Sequence, residues 1–276
     1  MADVSLADIK ALRERLGTGM VDTKNALVEA EGDIEKAVEI LRLKGAKGNA
    51  KRADRSTSEG LVGVVESATA VTLIELACET DFVAKNDRFI ALGQTVLQAL
   101  ADSGAEDVDA ANAVIVEGGK SVKDTIDDQA AVIGEKVELR RVARITGDTF
   151  SIYLHRTSKD LPPQVGVVLA YSGDDADTAR SIAQHISFAD PQYVSKEQVP
   201  AESVENERRI VEEISRGEGK PEAALPKIVA GRLGAYFKQV ALLEQDYAKD
   251  TKLSVGKVAA DAGLTITDFV RFKVGA

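Results

Sequence analysis

The chain has 276 residues, 44% of them hydrophobic, enough to bury more than one core, and a formal charge of −10 that repels phosphate backbones and argues against direct nucleic-acid binding. One cysteine, Cys78, and two histidines, His155 and His185, cannot build a Cys/His zinc site, and neither a metal nor a cofactor is expected. Met1 to Arg15 carries Asp3, Asp8, Lys10, Arg13, Glu14 and Arg15, which leaves no signal-peptide core, and no apolar run is long enough to span a bilayer; a cytoplasmic protein without a membrane partner is expected.

The first elements are three short amphipathic helices. Ser5 caps one with Leu6, Ile9, Leu12 and Leu16 on a single face, ended by Gly17. A Gly17, Thr18, Gly19 loop leads to a second from about Met20 to Ala30, and Asp33 caps a third with Ile34, Ala37, Val38 and Leu41 as its inward stripe. Lys44, Lys47, Lys51, Arg52 and Arg55, interleaved with glycines and small residues, read as a solvated flexible linker, and together these make a first unit at residues 1–55.

The period then changes. Leu61 to Glu66 and Val71 to Cys78 read as an antiparallel hairpin, followed by helices from Asn86 or Asp87, over Asp109 to Glu117 and over Ser121 to Ile133, and by a strand over Val137 to Ile145. Residues 56–145 are therefore an α+β unit with helices on one face of a small sheet. A second such unit, residues 146–276, has strands at Phe150 to His155, Val165 to Tyr171 and Thr265 to Val274 and a helix over Asp175 to Phe188. Val62, Gly63, Val64, Val65 recurs as Val165, Gly166, Val167, Val168, which suggests a duplicated subdomain. Into the second α+β unit, at about residues 195–236, is inserted a helical hairpin with stripes Val204, Ile210, Val211, Ile214 and Leu225, Ile228, Val229, Leu233, Tyr236, which reads equally as an inert protrusion or as an arm for a partner or a homodimer.

Motifs for covalent chemistry fail on inspection. Gly118, Gly119, Lys120, Ser121 imitates the end of a phosphate-binding loop, but Val114 stands where a glycine is required and no strand precedes it. Asp81 lacks a second acidic cluster that would make it a Mg²⁺ ligand or nucleophile, His155 lacks a partner, and Cys78 reads as a small buried hydrophobe. What stands out is Phe82, a large ring in the polar stretch Glu79 to Phe89 between a strand and a helix. Local pattern favours folding the ring under its own helix; placement on a connection suits a ring presented to a partner.

Taken together, the chain resembles the bacterial elongation factor Ts family, guanine-nucleotide exchange factors of elongation factor Tu. Leu12, Arg13, Gly17, Gly19, Met20, Asp22, Lys24, Ala26, Leu27, Gly32, Asp33 and Ala37 resemble that family's ubiquitin-associated-like domain. Thr80, Asp81, Phe82, Val83, Ala84 and Lys85 resemble its signature loop, and Phe269 to Gly275 its closing strand. The resemblance implies an α+β fold, elongation factor Tu as partner, and no covalent catalysis. It implies that Thr80, Asp81, Phe82 and Val83 dislocate Mg²⁺ from the GTPase, and that Arg13, Met20, Val21, Lys24, His155, Val240 and Leu242 make further contacts, although Val21 stands where members often carry a second Met. The competing reading is a non-catalytic adaptor built on the N-terminal helices, for which the Asp81, Phe82 loop would have no use.

Overall fold

A computed structural model describes residues 4–276; residues 1–3, including Asp3, lie outside it. The N-terminal helices are α1 (Leu6–Leu16), α2 (Met20–Glu29) and α3 (Ile34–Arg52), and both expected caps form: Ser5 accepts from the Asp8 amide, and Asp33 from Glu35 and Lys36. Ile9, Leu12, Ala26, Leu27, Ala37 and Leu41 close a small core between them.

The expected flexible linker is instead helix. α3 runs on through Lys44, Lys47 and Lys51, whose side chains face solvent, and packs on α7 (Val122–Ile133). Gly45 serves close approach here: a Cβ at that position would lie 2.7 Å from the Ala131 Cβ. Asn49 Nδ2 donates to the Asp127 carbonyl oxygen at 2.8 Å and so ties the two helices by polar as well as apolar contact. The first unit is thereby docked on the second.

The remaining chain forms two three-stranded antiparallel sheets. The first has the order β1 (Glu59–Glu66), β2 (Ala70–Cys78), β3 (Val137–Thr146); the second has β4 (Thr149–His155), β5 (Val165–Ser172), β8 (Thr265–Lys273). On one face of the first sheet, Leu61, Ile74, Leu76 and Leu139 pack under α7 and under Phe89, Val96 and Leu100 of α5 (Asp87–Ser103). On its other face, Val62, Val71, Leu73 and Ile145 meet Val168, Ala170 and Phe272 of the second sheet. Beyond that sheet, Val167, Leu169 and Tyr171 pack on Ala179, Ile182 and Ile186 of α8 (Ala176–Ala189). The order of layers is helix, sheet, sheet, helix. It explains why β2 is buried along its whole length: a central strand covered on both faces needs apolar residues on both. At one end of the sheet interface the fully buried Glu75 pairs with Arg141 (2.5 Å), whose guanidinium lies 4.6 Å from the Phe272 ring centroid.

The architecture is duplicated, but the four-residue repeat does not mark equivalent strands. Val62 to Val65 lie on the edge strand β1, whereas Val165 to Val168 lie on the central strand β5, whose positional counterpart is β2. The two segments nonetheless touch: the Val62 amide donates to the Pro163 carbonyl oxygen at 2.8 Å, and a Cβ on Gly166 would sit 2.5 Å from Val62 Cγ1. In the first α+β unit a short α6 (Val108–Ala113) precedes a turn through Gly118 and Gly119, both at positive φ, that brings Ile115 opposite Ser121, the N-cap of α7. The apparent phosphate loop is this turn.

The inserted hairpin is α9 (Ala201–Gly217) and α10 (Leu225–Val240), closed by Val211, Val229 and Leu233. After it come elements with no clear periodic signal, the ribbon β6 (Asp246–Tyr247) with β7 (Asp250–Ser254) and the short α11 (Val255–Asp261).

Candidate functional site

Between β2 and α5 the chain makes a single helical turn, α4 (Asp81–Ala84). Thr80 is its N-cap, with extended backbone angles and a hydroxyl that accepts from the Val83 amide at 3.4 Å. Ala84 is buried and Val83 packs against the first core, so the turn is anchored on its inner side. Phe82 therefore points outward. At 75% exposure it is the most exposed large hydrophobic side chain among the described residues, and the local reading that folds it under its own helix does not hold. Exposing a phenyl ring that could be buried forgoes roughly 1.5 to 3 kcal/mol, which makes the position one that packing does not explain.

Charge is arranged around the ring. Lys85 Nζ lies 4.7 Å from the Phe82 ring centroid and 3.0 Å from Asp81 Oδ2, so one ammonium group touches both the ring and the carboxylate. Such an exposed pair is worth about 0 to 1 kcal/mol and yields readily to a stronger cation. Behind the turn, Cys78 is buried with its thiol donating to the Thr80 carbonyl oxygen at 3.3 Å. Burial first, and then the Glu135 and Glu59 charges, push its pKa up to about 12, so the sulfur is an inert thiol.

The N-terminal residues implied by resemblance share one surface. Arg13 lies in the last turn of α1, and Met20, Val21 and Lys24 lie in the first half of α2, all with exposed side chains, Val21 at 70%. Arg13, Thr18 and Met20 line one side of a shallow groove whose other side is Arg88 and Val132 of the first α+β unit. Arg88, in the first turn of α5, rests on Gly17, where a Cβ would be 2.9 Å from its Nη1. This residue lies just beyond the Phe82 turn and links it to the N-terminal surface; nothing local in the sequence singled it out.

The second unit divides differently. His155 ends β4 with an exposed side chain, its Nδ1 3.2 Å from the Tyr153 hydroxyl and the two rings stacked. Val240 and Leu242, by contrast, are buried, and a direct side-chain contact from them does not fit this structure. Their segment is clamped by backbone hydrogen bonds from Leu242 to the Tyr193 carbonyl oxygen (2.9 Å) and from Leu243 to that of Val194 (3.0 Å), which turns Leu242 into the core and leaves Leu243 half-buried. The second histidine, His185, is buried: Nε2 donates to Gln245 Oε1 at 2.9 Å and Nδ1 accepts from the Ala248 amide at 3.3 Å. Desolvation lowers its pKa and keeps the ring neutral.

A family model described as Elongation factor TS matches residues 79–276, beginning at the turn that carries Phe82. The chain belongs to the elongation factor Ts family. Curated proteins of that name align over the full length of both chains, at 67% identity in Leifsonia xyli subsp. xyli (strain CTCB07), 67% in Clavibacter sepedonicus and 55% in Micrococcus luteus. The protein is thus a translation elongation factor of α+β fold. Among the described residues no helix is long and apolar enough to cross a membrane.

Proposed function

We propose that this protein binds elongation factor Tu in the cytoplasm and promotes release of GDP, acting by differential binding and without covalent chemistry. The observation that carries this is the outward Phe82 on its capped turn, beside an Asp81 carboxylate held only by an exposed lysine. Exchange by binding requires that the factor hold the nucleotide-free GTPase more tightly than the nucleotide-bound one, and the two affinities are reciprocally linked. Burying one Phe in the partner supplies about 1.5 to 3 kcal/mol, equivalent to roughly ten- to a hundredfold in affinity. Asp81 brings negative charge toward a site that holds Mg²⁺ and phosphate, while Thr80 and Val83 hold the turn from which both side chains project.

The three units divide the work. The helices of residues 1–55 add contacts through Arg13, Met20, Val21 and Lys24. The unit of residues 56–145 carries the wedge, and that of residues 146–276 anchors a second region of the same GTPase through His155 and the surface above the buried Val240 and Leu242. The test is stopped-flow release of labelled GDP from elongation factor Tu with and without this protein. Concentration-dependent acceleration to a plateau is expected; binding without acceleration would identify an adaptor.

A further inference from the structure

The Phe82 turn needs a fixed base, because a helix of one turn closes too few hydrogen bonds to offset the entropy of ordering it. The β2–β3 ladder ends at the pair Cys78 and Val137. Beyond that pair the two chains stay together through side chains. Lys136 donates its amide to Glu79 Oε1 at 2.6 Å, and in the opposite direction Thr80 donates its amide to Glu135 Oε2 at 3.0 Å and its hydroxyl to Glu135 Oε1 at 2.6 Å. Arg55, just past α3, adds a 3.2 Å ion pair to Glu79. The Thr80 hydroxyl is thereby used twice: donating to Glu135 orients its lone pairs toward the Val83 amide that opens the turn.

We infer that Glu135 is a positioning residue for Phe82. Resting on the exchange reading above, this inference assigns to a carboxylate that follows the left-handed Gly134 cap of α7 the task of holding the wedge in its extended position. Two hydrogen bonds to one carboxylate are the strongest polar contacts that Thr80 makes, and among the described residues the turn has no other polar tie of this kind to the β3 side. Without them Thr80 keeps its capping hydroxyl but loses its orientation, and Phe82 samples positions that miss the partner.

Glu135→Ala should lower the saturating rate of GDP release about tenfold, as expected for lost charge-assisted hydrogen bonds, while the half-saturating concentration and thermal midpoint stay near wild type. Glu135→Gln, which keeps one acceptor oxygen, should recover part of the rate. In a Phe82→Ala background, Glu135→Ala should have no further effect, because both changes disable one element. Thr80→Val removes both the hydroxyl donor to Glu135 and the cap on the Val83 amide in nearly the same shape, and if Glu135→Ala folds poorly it should lower the plateau at least as far. Amide exchange separates this inference from the exchange reading: Thr80 and Val83 should lose protection in Glu135→Ala, while amides in the middle of α5 keep theirs. Unchanged protection of Thr80 overturns the positioning role whatever the kinetics show, as does an Ala effect that adds in full to that of Phe82→Ala. A Phe82→Ala protein that releases GDP at the wild-type rate overturns the wedge itself.

Discussion

The two sheet units share strand order but differ in the connection that leads from the central strand to the long helix. In the second unit residues 173–175 make it, with Gly173 at a φ of 117° folded so closely that a Cβ would sit 2.6 Å from the Gly263 carbonyl oxygen, and Asp175 caps α8 at once. In the first, residues 79–86 make it, with an extra helical turn and an outward phenyl ring before Asn86 caps α5. One unit shows that the fold needs only a tight turn there. The elaboration in the other is therefore not a requirement of the sandwich, and this is the physical reason to look for its use outside the molecule.

The two connections differ most at Phe82. Phe82→Ala should lower the saturating rate of GDP release by roughly ten- to a hundredfold, the equivalent of one buried ring, and shift stability by less than about 0.5 kcal/mol. Phe89→Ala, seven positions on and fully buried in the first core, should instead cost about 3 to 5 kcal/mol of stability. A melting curve and a plateau rate for each protein check both, and a large fall in midpoint for Phe82→Ala would return the ring to the core.

The N-terminal helices are held beside the wedge by the docking of α3 on α7. Gly45→Val places a methyl-bearing carbon where only 2.7 Å separates the Cβ position from Ala131, so α3 must move off α7 at a cost of about 1 to 3 kcal/mol. Displacing the surface that carries Arg13, Met20 and Lys24 should weaken binding of elongation factor Tu about tenfold in calorimetry and leave the plateau rate of GDP release close to normal. Equal affinities would remove this surface from the interface.

A smaller effect sharpens the division between wedge and anchor. His155→Ala, at an exposed strand end, should raise the half-saturating concentration roughly threefold, as for a contact at the rim of an interface, with the plateau unchanged. If it lowers the plateau as Phe82→Ala does, the two units do not act separately.

Periodicity made most elements legible: of the apolar stripe Phe89, Ile90, Val96, Leu97, Leu100 all but the half-buried Ile90 are buried, the apolar run of β2 lies where the sequence places it, and Ser5, Asp33, Asn86 and Ser121 cap helices. What escaped depends on partners distant in sequence. Gly45 looks like a linker glycine until Ala131 is set against it. Leu242 looks free until Tyr193 and Val194 clamp its backbone. Glu135 has no local mark at all, because its partner Thr80 lies on the far side of four helices, α4 to α7, in the chain. The ribbon β6–β7 is short and, in Asp250, Thr251 and Lys252, polar and exposed, so it offers no apolar alternation to read. The Phe82 turn was legible as a departure from pattern and not as a pattern.

The smallest expected effect separates the two units by pH. His185 has its pKa lowered from 6.5 by burial, and its ring, wedged between α8 and the Gln245 to Ala248 segment, is neutral in the fold. The unfolded chain therefore binds a proton at this site more readily than the native one, so the contribution of the neutral ring to stability is complete above about pH 6.5 and diminishes as pH falls from there toward the lower native pKa. Protonation would place a donor on Nδ1 against the Ala248 amide, which also donates, and so break the tie that seats β6 beside α8. Melting curves from pH 7.5 to 5.5 should show a falling midpoint that His185→Gln flattens, since an amide cannot take up the proton. The Phe82 turn has no titrating histidine in it, and the plateau rate of exchange should hold through the upper part of that range. A midpoint that falls as steeply in His185→Gln as in wild type would place the acid sensitivity elsewhere.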